Sequence, residues 1–204
     1  VQANPLIPPF LNPALLAQPL ADDSREADWT TGTQPRRDDH MYHATGRVDF
    51  DISDQVTLTS LTSYAHYSQD DRVDPDGTAL RLADTIDRGS IRAFYQELRV
   101  SGEFGTGSTW IVGANYERNR VQETQILNAS DASGFRFFNL IFGIPTPDDT
   151  PISSLQRFEN VAVFANVDYA LTDQLTGHAG VRYTNSRNRF TGCAHVDLSD
   201  KRRG

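Results

Sequence analysis

Hydrophobic and polar residues alternate along the chain from Gly46 onward. Val48, Phe50 and Ile52 fall on one parity, and charged residues fall between them. Successive side chains of a strand point to opposite faces, so this period of two predicts a strand with one apolar and one polar face. Turn formers at 53–55 are followed by a Thr- and Tyr-rich run over 56–67, which predicts the returning arm of an antiparallel hairpin.

The same plan repeats twice. Residues 91–104 and 108–122 alternate on either side of Gly105-Thr106-Gly107, and residues 161–171 are followed by a turn at 172–174 and a last strand from Leu175. Phe164 interrupts the otherwise polar parity of the fifth strand. The pattern therefore predicts an all-β fold, an antiparallel up-and-down meander of six long strands.

The lengths of the connections distinguish the two ends of this meander. Connections within each pair take about three residues, whereas 68–90 and 123–157 are long and polar. Short turns at one end and long loops at the other, with strands of about 12 residues, are typical of a transmembrane β-barrel. We predict that the three turns lie together at the periplasmic end. Tyrosines near the predicted strand ends suit the interface girdles of such a barrel, namely Tyr64, Tyr67, Tyr116, Tyr169 and Tyr183.

The chain divides into three parts on this interpretation. Residues 1–41 form an extracellular-type loop or irregular segment, 42–190 a six-stranded section of the barrel wall, and 191–204 the start of a loop. The first residues have no basic region and several prolines, so they are not a signal peptide. We expect either a processed chain or a fragment that begins within a longer protein.

Each strand face receives an assignment from its parity. We predict that the apolar parity faces lipid, through Val48, Phe50, Leu98, Val100, Trp110, Val112, Val163, Val167, Ala179 and Val181. The opposite parity supplies the candidates for a wet barrel lumen, which are Arg47, Asp49, Tyr95, Glu97, Arg99, Asn115, Glu117, Asn166, Asp168, His178 and Arg182. The apolar loop stretch 135–147 supplies candidates for ligand contact, which are Phe135, Phe137, Phe138 and Phe142.

Composition narrows the class further. Hydrophobic residues make up 38%, mean hydropathy is −0.50, and no run of about 18 apolar residues occurs, which excludes a helical membrane protein. A β-barrel tolerates such polarity because only every second strand residue meets lipid. The formal net charge of −8 argues against nucleic acid as a partner, and the arginines are scattered along the sequence.

The sequence gives only weak indications of catalytic or metal-binding residues. His40 and His43 would point to opposite faces of a strand, and the paired aspartates of the predicted loops have no fixed separation. The single cysteine, Cys193, is expected to be a loop thiol or half of a bridge to another chain. We find no Ser/His/Asp arrangement or phosphate loop, so we predict no enzyme activity, no metal and no cofactor.

Three segments resemble TonB-dependent outer-membrane receptors: Thr59-Ser60-Leu61-Thr62-Ser63-Tyr64, then 94–101 (FYQELRVS), then 163–175 (VFANVDYALTDQL) running into 179–184 (AGVRYT). The likeness covers about residues 44–188. It implies a location in the outer membrane of a Gram-negative bacterium and uptake of a large nutrient such as an iron-siderophore or oligosaccharide. The implied partners are outer-membrane lipid, the remaining barrel and plug, the nutrient ligand, and the TonB complex through an N-terminal part that this sequence lacks.

A soluble β-barrel of lipocalin type is the alternative. In that arrangement the apolar parity turns inward around a small ligand, and the polar parity faces solvent. The two hypotheses differ in which face of the strands is wet.

Overall fold

A computed structural model describes residues 22–132 and 150–194, together with 14, 17, 18, 141 and 143. Within those residues the chain forms six strands: β1 (Asp39–Ser53), β2 (Val56–Val73), β3 (Asp84–Phe104), β4 (Ser108–Asn128), β5 (Thr150–Thr172) and β6 (Leu175–Ala194). A membrane-crossing helix, long and apolar enough to span, is absent from the described part of the chain.

The strands pair in chain order, and every neighbouring pair is antiparallel. This confirms the predicted six-stranded meander. The short connections after β1, β3 and β5 therefore lie at one end of the sheet, and the two longer connections lie at the other. Gly105 and Gly107, between β3 and β4, have φ of 59° and 78°, a region that residues with a Cβ rarely adopt.

The strands are longer than the alternation suggested. They contain 15 to 23 residues, so the connections after β2 and β4 are shorter than the predicted loops 68–90 and 123–157. Backbone pairing continues through polar partners such as Asp70 with Arg88 and Glu123 with Ser154, because ladder hydrogen bonds require no apolar face. The strands themselves extend beyond residues 42–190, since β1 starts at Asp39 and β6 continues to Ala194.

Strand register assigns each side chain to a face, because residues directly opposite in an antiparallel pair lie on the same side. One row across the sheet is Arg47, Leu61, Glu97, Asn115, Ala162 and Thr184, and the adjacent row is Val48, Ser60, Leu98, Ala114, Val163 and Tyr183. All eleven polar candidates share the first face, here called the polar face. All ten residues of the apolar set share the second, here called the apolar face. Tyr67 pairs with Met41 and Ile91 on the polar face, so its place in an outward girdle was wrong.

Burial in the central strands is inverted relative to a soluble protein. Among the described residues, the only buried hydrophobic ones are Ala129 and Ala162, whereas Thr59 and Asn115 are buried on the polar face. The Glu97 side chain is 15% exposed, while its neighbour Leu98 is 50% exposed on the apolar face. A curved sheet crowds the side chains of its concave side. We infer that the polar face is concave and the apolar face convex.

The segment before β1 packs against the end of the sheet that carries the longer connections. The Asp28 amide donates to the Gly77 carbonyl (3.0 Å), and Arg36 forms an antiparallel bridge with Arg72. Thr30 is 3% exposed at this contact. The irregular N-terminal segment and the β2–β3 connection are therefore one packed unit.

Candidate functional site

Separate clusters of hydrogen-bonded side chains lie along the polar face from β1 to β6. On β1, Arg47 is bidentate to Asp49, with Nε and Nη2 at 2.8 and 3.0 Å from the two carboxylate oxygens. The Thr59 hydroxyl of β2 donates to the same carboxylate at 2.6 Å. These residues are next-nearest neighbours or direct cross-strand partners, which places their side chains within reach.

Two glutamates occupy the centre of this face. The Tyr95 hydroxyl donates to Glu97 at 2.5 Å, and Arg99 forms an ion pair with it at 3.5 Å. Glu117 of β4 accepts from Asn119 at 2.6 Å and from Asn160 of β5 at 3.0 Å. Each carboxylate therefore has donors on its own strand or on a neighbour, as a partly buried charge requires.

Asp168 connects the last two strands near the turn end. Nδ1 of His178 lies 2.7 Å from Asp168 Oδ1, Asn166 donates to the same oxygen at 3.2 Å, and Thr109 donates to Oδ2 at 3.5 Å. This carboxylate joins side chains of β4, β5 and β6.

The contact of Phe164 with Gly113 explains why this apolar residue breaks the polar parity of β5. A Cβ at Gly113 would lie 2.5 Å from Phe164 Cζ, so the ring covers the space that the glycine leaves free. The Arg182 guanidinium lies 5.7 Å from the centre of that ring, and Arg182 also donates to Asn115 at 2.9 Å. An apolar ring on the polar face thus supports an arginine that satisfies a buried amide.

The eleven predicted lumen candidates all belong to these clusters, which together we call the polar ladder. It offers carboxylates, amides, a phenol, an imidazole and guanidinium groups over the concave side of six strands. Such a surface binds water and polar solutes by hydrogen bonds. The four ligand-contact candidates, Phe135, Phe137, Phe138 and Phe142, lie outside the described residues.

An acidic cluster lies beyond the strands, between the N-terminal segment and the β2–β3 connection, and the sequence analysis missed it. Carboxylate oxygens of Asp74, Asp76 and Asp84 lie within 4.8 Å of one another, and oxygens of this kind suit a hard cation such as Ca²⁺. Donors of the chain, including Thr30 and Thr78, already reach every one of these oxygens except Asp74 Oδ1. Burial raises the pKa of the Asp84 carboxyl, and the charges of Asp74 and Asp76 act in the same direction.

The histidine pair and the cysteine do not assemble into a site within the described residues. His40 lies on the apolar face beside Asp38, whereas His43 lies on the polar face beside Ser63, as their spacing in a strand predicted. Cys193 is exposed and free, and it lies in β6 rather than in a loop.

Comparison with protein families gives the decisive match. The description "TonB dependent receptor-like, beta-barrel" matches residues 3–200, nearly the whole chain. The chain belongs to this family. Comparison with curated proteins found no match.

The family explains why the strands form a wall and not a core. TonB-dependent receptors are transporters rather than enzymes, they belong to the outer membrane of Gram-negative bacteria, and they work with TonB and a ligand. The family match and the all-β meander together confirm the resemblance seen in the sequence. They favour a receptor barrel over the lipocalin-like alternative.

Proposed function

We propose that this chain is a section of the wall of an outer-membrane receptor that imports a large nutrient, such as an iron-siderophore or an oligosaccharide. On this proposal the chain has no enzymatic role. The polar ladder faces the lumen and the plug, the apolar face meets lipid, and the turns after β1, β3 and β5 lie on the periplasmic side, where the TonB complex acts.

The observation that carries the proposal is the inverted burial. Glu97 and Asn115 are shielded on the concave face, while Leu98, Val112 and Val163 are about half exposed on the convex face. In water such an arrangement is unfavourable, because each apolar side chain that stays exposed loses roughly 1.5 to 3 kcal/mol of burial free energy. Lipid removes the penalty, and a polar lumen retains water around the ladder.

The border of the apolar face gives independent support. The last large apolar residue before polar positions begin is, from β1 to β6, Tyr42, Tyr64, Phe94, Tyr116, Val161 and Tyr183. Tyr64 is in register with Arg187, four residues beyond Tyr183, so the border crosses the strands obliquely. With about 3.3 Å per residue and about 4.8 Å between strands, its slope is about 35°. Transmembrane barrels tilt their strands by about 35–45°.

The height of the apolar face agrees with this tilt. On β3 it extends from Phe94 to Phe104, which at that tilt corresponds to about 27 Å along the membrane normal. Outer-membrane barrels carry an apolar band about 25 Å tall.

Paired cysteine variants test which face is wet. Val163→Cys and Asn166→Cys place a thiol on opposite faces of β5, where both native side chains are exposed, in a Cys193→Ser background. In liposomes, a membrane-impermeant maleimide should label only Asn166→Cys, and a lipid-borne quencher should reach only a probe at Val163→Cys. Labelling of Asn166→Cys without lipid quenching at Val163→Cys would support the soluble lipocalin-like barrel instead, and equal labelling of both would contradict the lipid-facing assignment.

A further inference from the structure

Arginines that are scattered in the sequence come together on the apolar-face side of the sheet. Arg92, Arg120, Arg157 and Arg189 lie on four neighbouring strands and are direct cross-strand partners in succession. Arg118 and Arg187 lie in the next row of the same face, on either side of Glu159. These six residues are here called the arginine belt. On each of the strands β3 to β6, the belt begins at the first or second position of this face beyond the last large apolar residue.

The belt is an unbalanced concentration of positive charge in an acidic chain. All six side chains are exposed, and Glu159 is the only acidic residue in their two rows. Glu159 lies 3.7 Å from Arg118. Within the described part of the chain, the other five belt arginines have no ion-pair partner, although the net charge of the whole chain is −8.

Such a row is costly without a counter-ion. Like charges directly opposite on neighbouring strands destabilise the pairing, and four arginines in register span only about 14 Å. Anions placed between them remove the repulsion. Guanidinium groups bind phosphate in a bidentate manner, so phosphate oxygens match this surface better than an isolated carboxylate.

We propose that the arginine belt binds the phosphate groups of a lipid, a phosphorylated glycolipid at the membrane surface. The position of the arginine belt on the sheet indicates that the phosphate belongs to a lipid. The belt begins immediately beyond the Phe94 and Tyr116 border, which is the level of lipid headgroups if the apolar face meets the hydrocarbon layer. In this respect the inference rests on the proposed function.

The test uses the full receptor chain, purified in dodecyl maltoside and stripped of lipid. The probes are diphosphorylated lipid A, the same lipid after removal of its phosphates, and inorganic phosphate. The belt variant is Arg120→Gln/Arg157→Gln. The control is Arg25→Gln/Arg81→Gln, which removes the same charge from two exposed residues outside the strands. Heat-modifiable migration on gels first establishes that each variant is folded.

We expect the wild-type chain to bind the diphosphorylated lipid at least tenfold more tightly than the dephosphorylated one. The belt variant should lose on the order of 10- to 30-fold in affinity for the diphosphorylated lipid, and the control should retain it. Equal affinity of belt variant and control would overturn the inference, as would equal binding of the two lipids. Binding of inorganic phosphate as tight as that of the lipid would show a free-anion site instead.

Insertion of the wild-type chain into neutral phosphatidylcholine vesicles separates the two proposals. Failure to insert would refute the membrane assignment itself. Insertion combined with equal lipid affinity of belt variant and control would refute only the belt.

Discussion

Leu98 and Leu61 provide a matched test of the two faces. They lie on neighbouring strands: Leu61 is the cross-strand partner of Glu97 on the polar face, and Leu98 points to the apolar face. We consider Leu98→Arg and Leu61→Arg in the receptor as its host expresses it. The two variants make the same chemical change only one register step apart.

The magnitude follows from the depth of each residue. Leu98 lies four residues from Phe94, about 11 Å below the apolar border and close to the middle of the band. Arginine on the lipid face at that depth costs about 2 to 4 kcal/mol, which is about 30- to 900-fold in the folding equilibrium. At Leu61 the new guanidinium joins Glu97 and the polar ladder, so the change should stay within about 1 kcal/mol.

Urea titration of the receptor folded into phosphatidylcholine vesicles, followed by heat-modifiable migration, measures both effects. Leu98→Arg should unfold at a clearly lower urea concentration than wild type, and Leu61→Arg should unfold at a urea concentration close to that of wild type. If Leu61→Arg were the more damaging variant, the polar face would be the packed interior of the protein, and the lumen assignment would be wrong.

Three further predictions concern the polar face, the acidic cluster and the chain alone. Gly113→Ala should cost about 1 to 3 kcal/mol because its Cβ would collide with Phe164, and in a double-mutant cycle Phe164→Leu should recover part of that loss. Burial raises the pKa of Asp84 in the folded chain above its value in the unfolded chain. Asp84 therefore contributes its full stability at pH values below the unfolded pKa, and this contribution is lost as the pH rises through the folded pKa. Hydrogen exchange of residues 74–84, corrected for intrinsic rate, should therefore lose protection with rising pH, and Asp84→Asn should remove this dependence. Residues 1–204 expressed alone should aggregate or require detergent, because the apolar face and the edges β1 and β6 meet water; a monomer with sharp, dispersed NMR signals in plain buffer would contradict this.

The sequence predicted the fold because alternation is a local property. Val48, Phe50, Leu98 and Val100 identify their faces from their immediate neighbours, and this carried through to the register of all six strands. Strand ends were not predictable in the same way. Beyond the apolar border neither face is regularly apolar, as at Ser68 and Gln69, so the alternation disappears although the pairing continues.

Features that depend on register or on distant contacts could not be predicted. The belt arginines are about thirty residues apart in sequence, and only the alignment of β3 to β6 brings them together. Asp74 and Asp84 meet Thr30 across 44 and 54 residues. The run Asp74-Pro75-Asp76-Gly77-Thr78 was the available signal, but it did not indicate which side chains it would contact.

The continuation of β4 from Tyr116 to Asn128 has a consequence for how a solute first meets the receptor. Twelve residues at the inferred tilt correspond to about 30 Å measured away from the bilayer. Paired strands are stiff, so on the proposed function the end of β4 at Asn128 would be held rigidly well above the lipid surface. A large solute arriving from outside would make its first contact there, and the distance to the hydrocarbon layer would be covered inside a wall of hydrogen-bonded sheet.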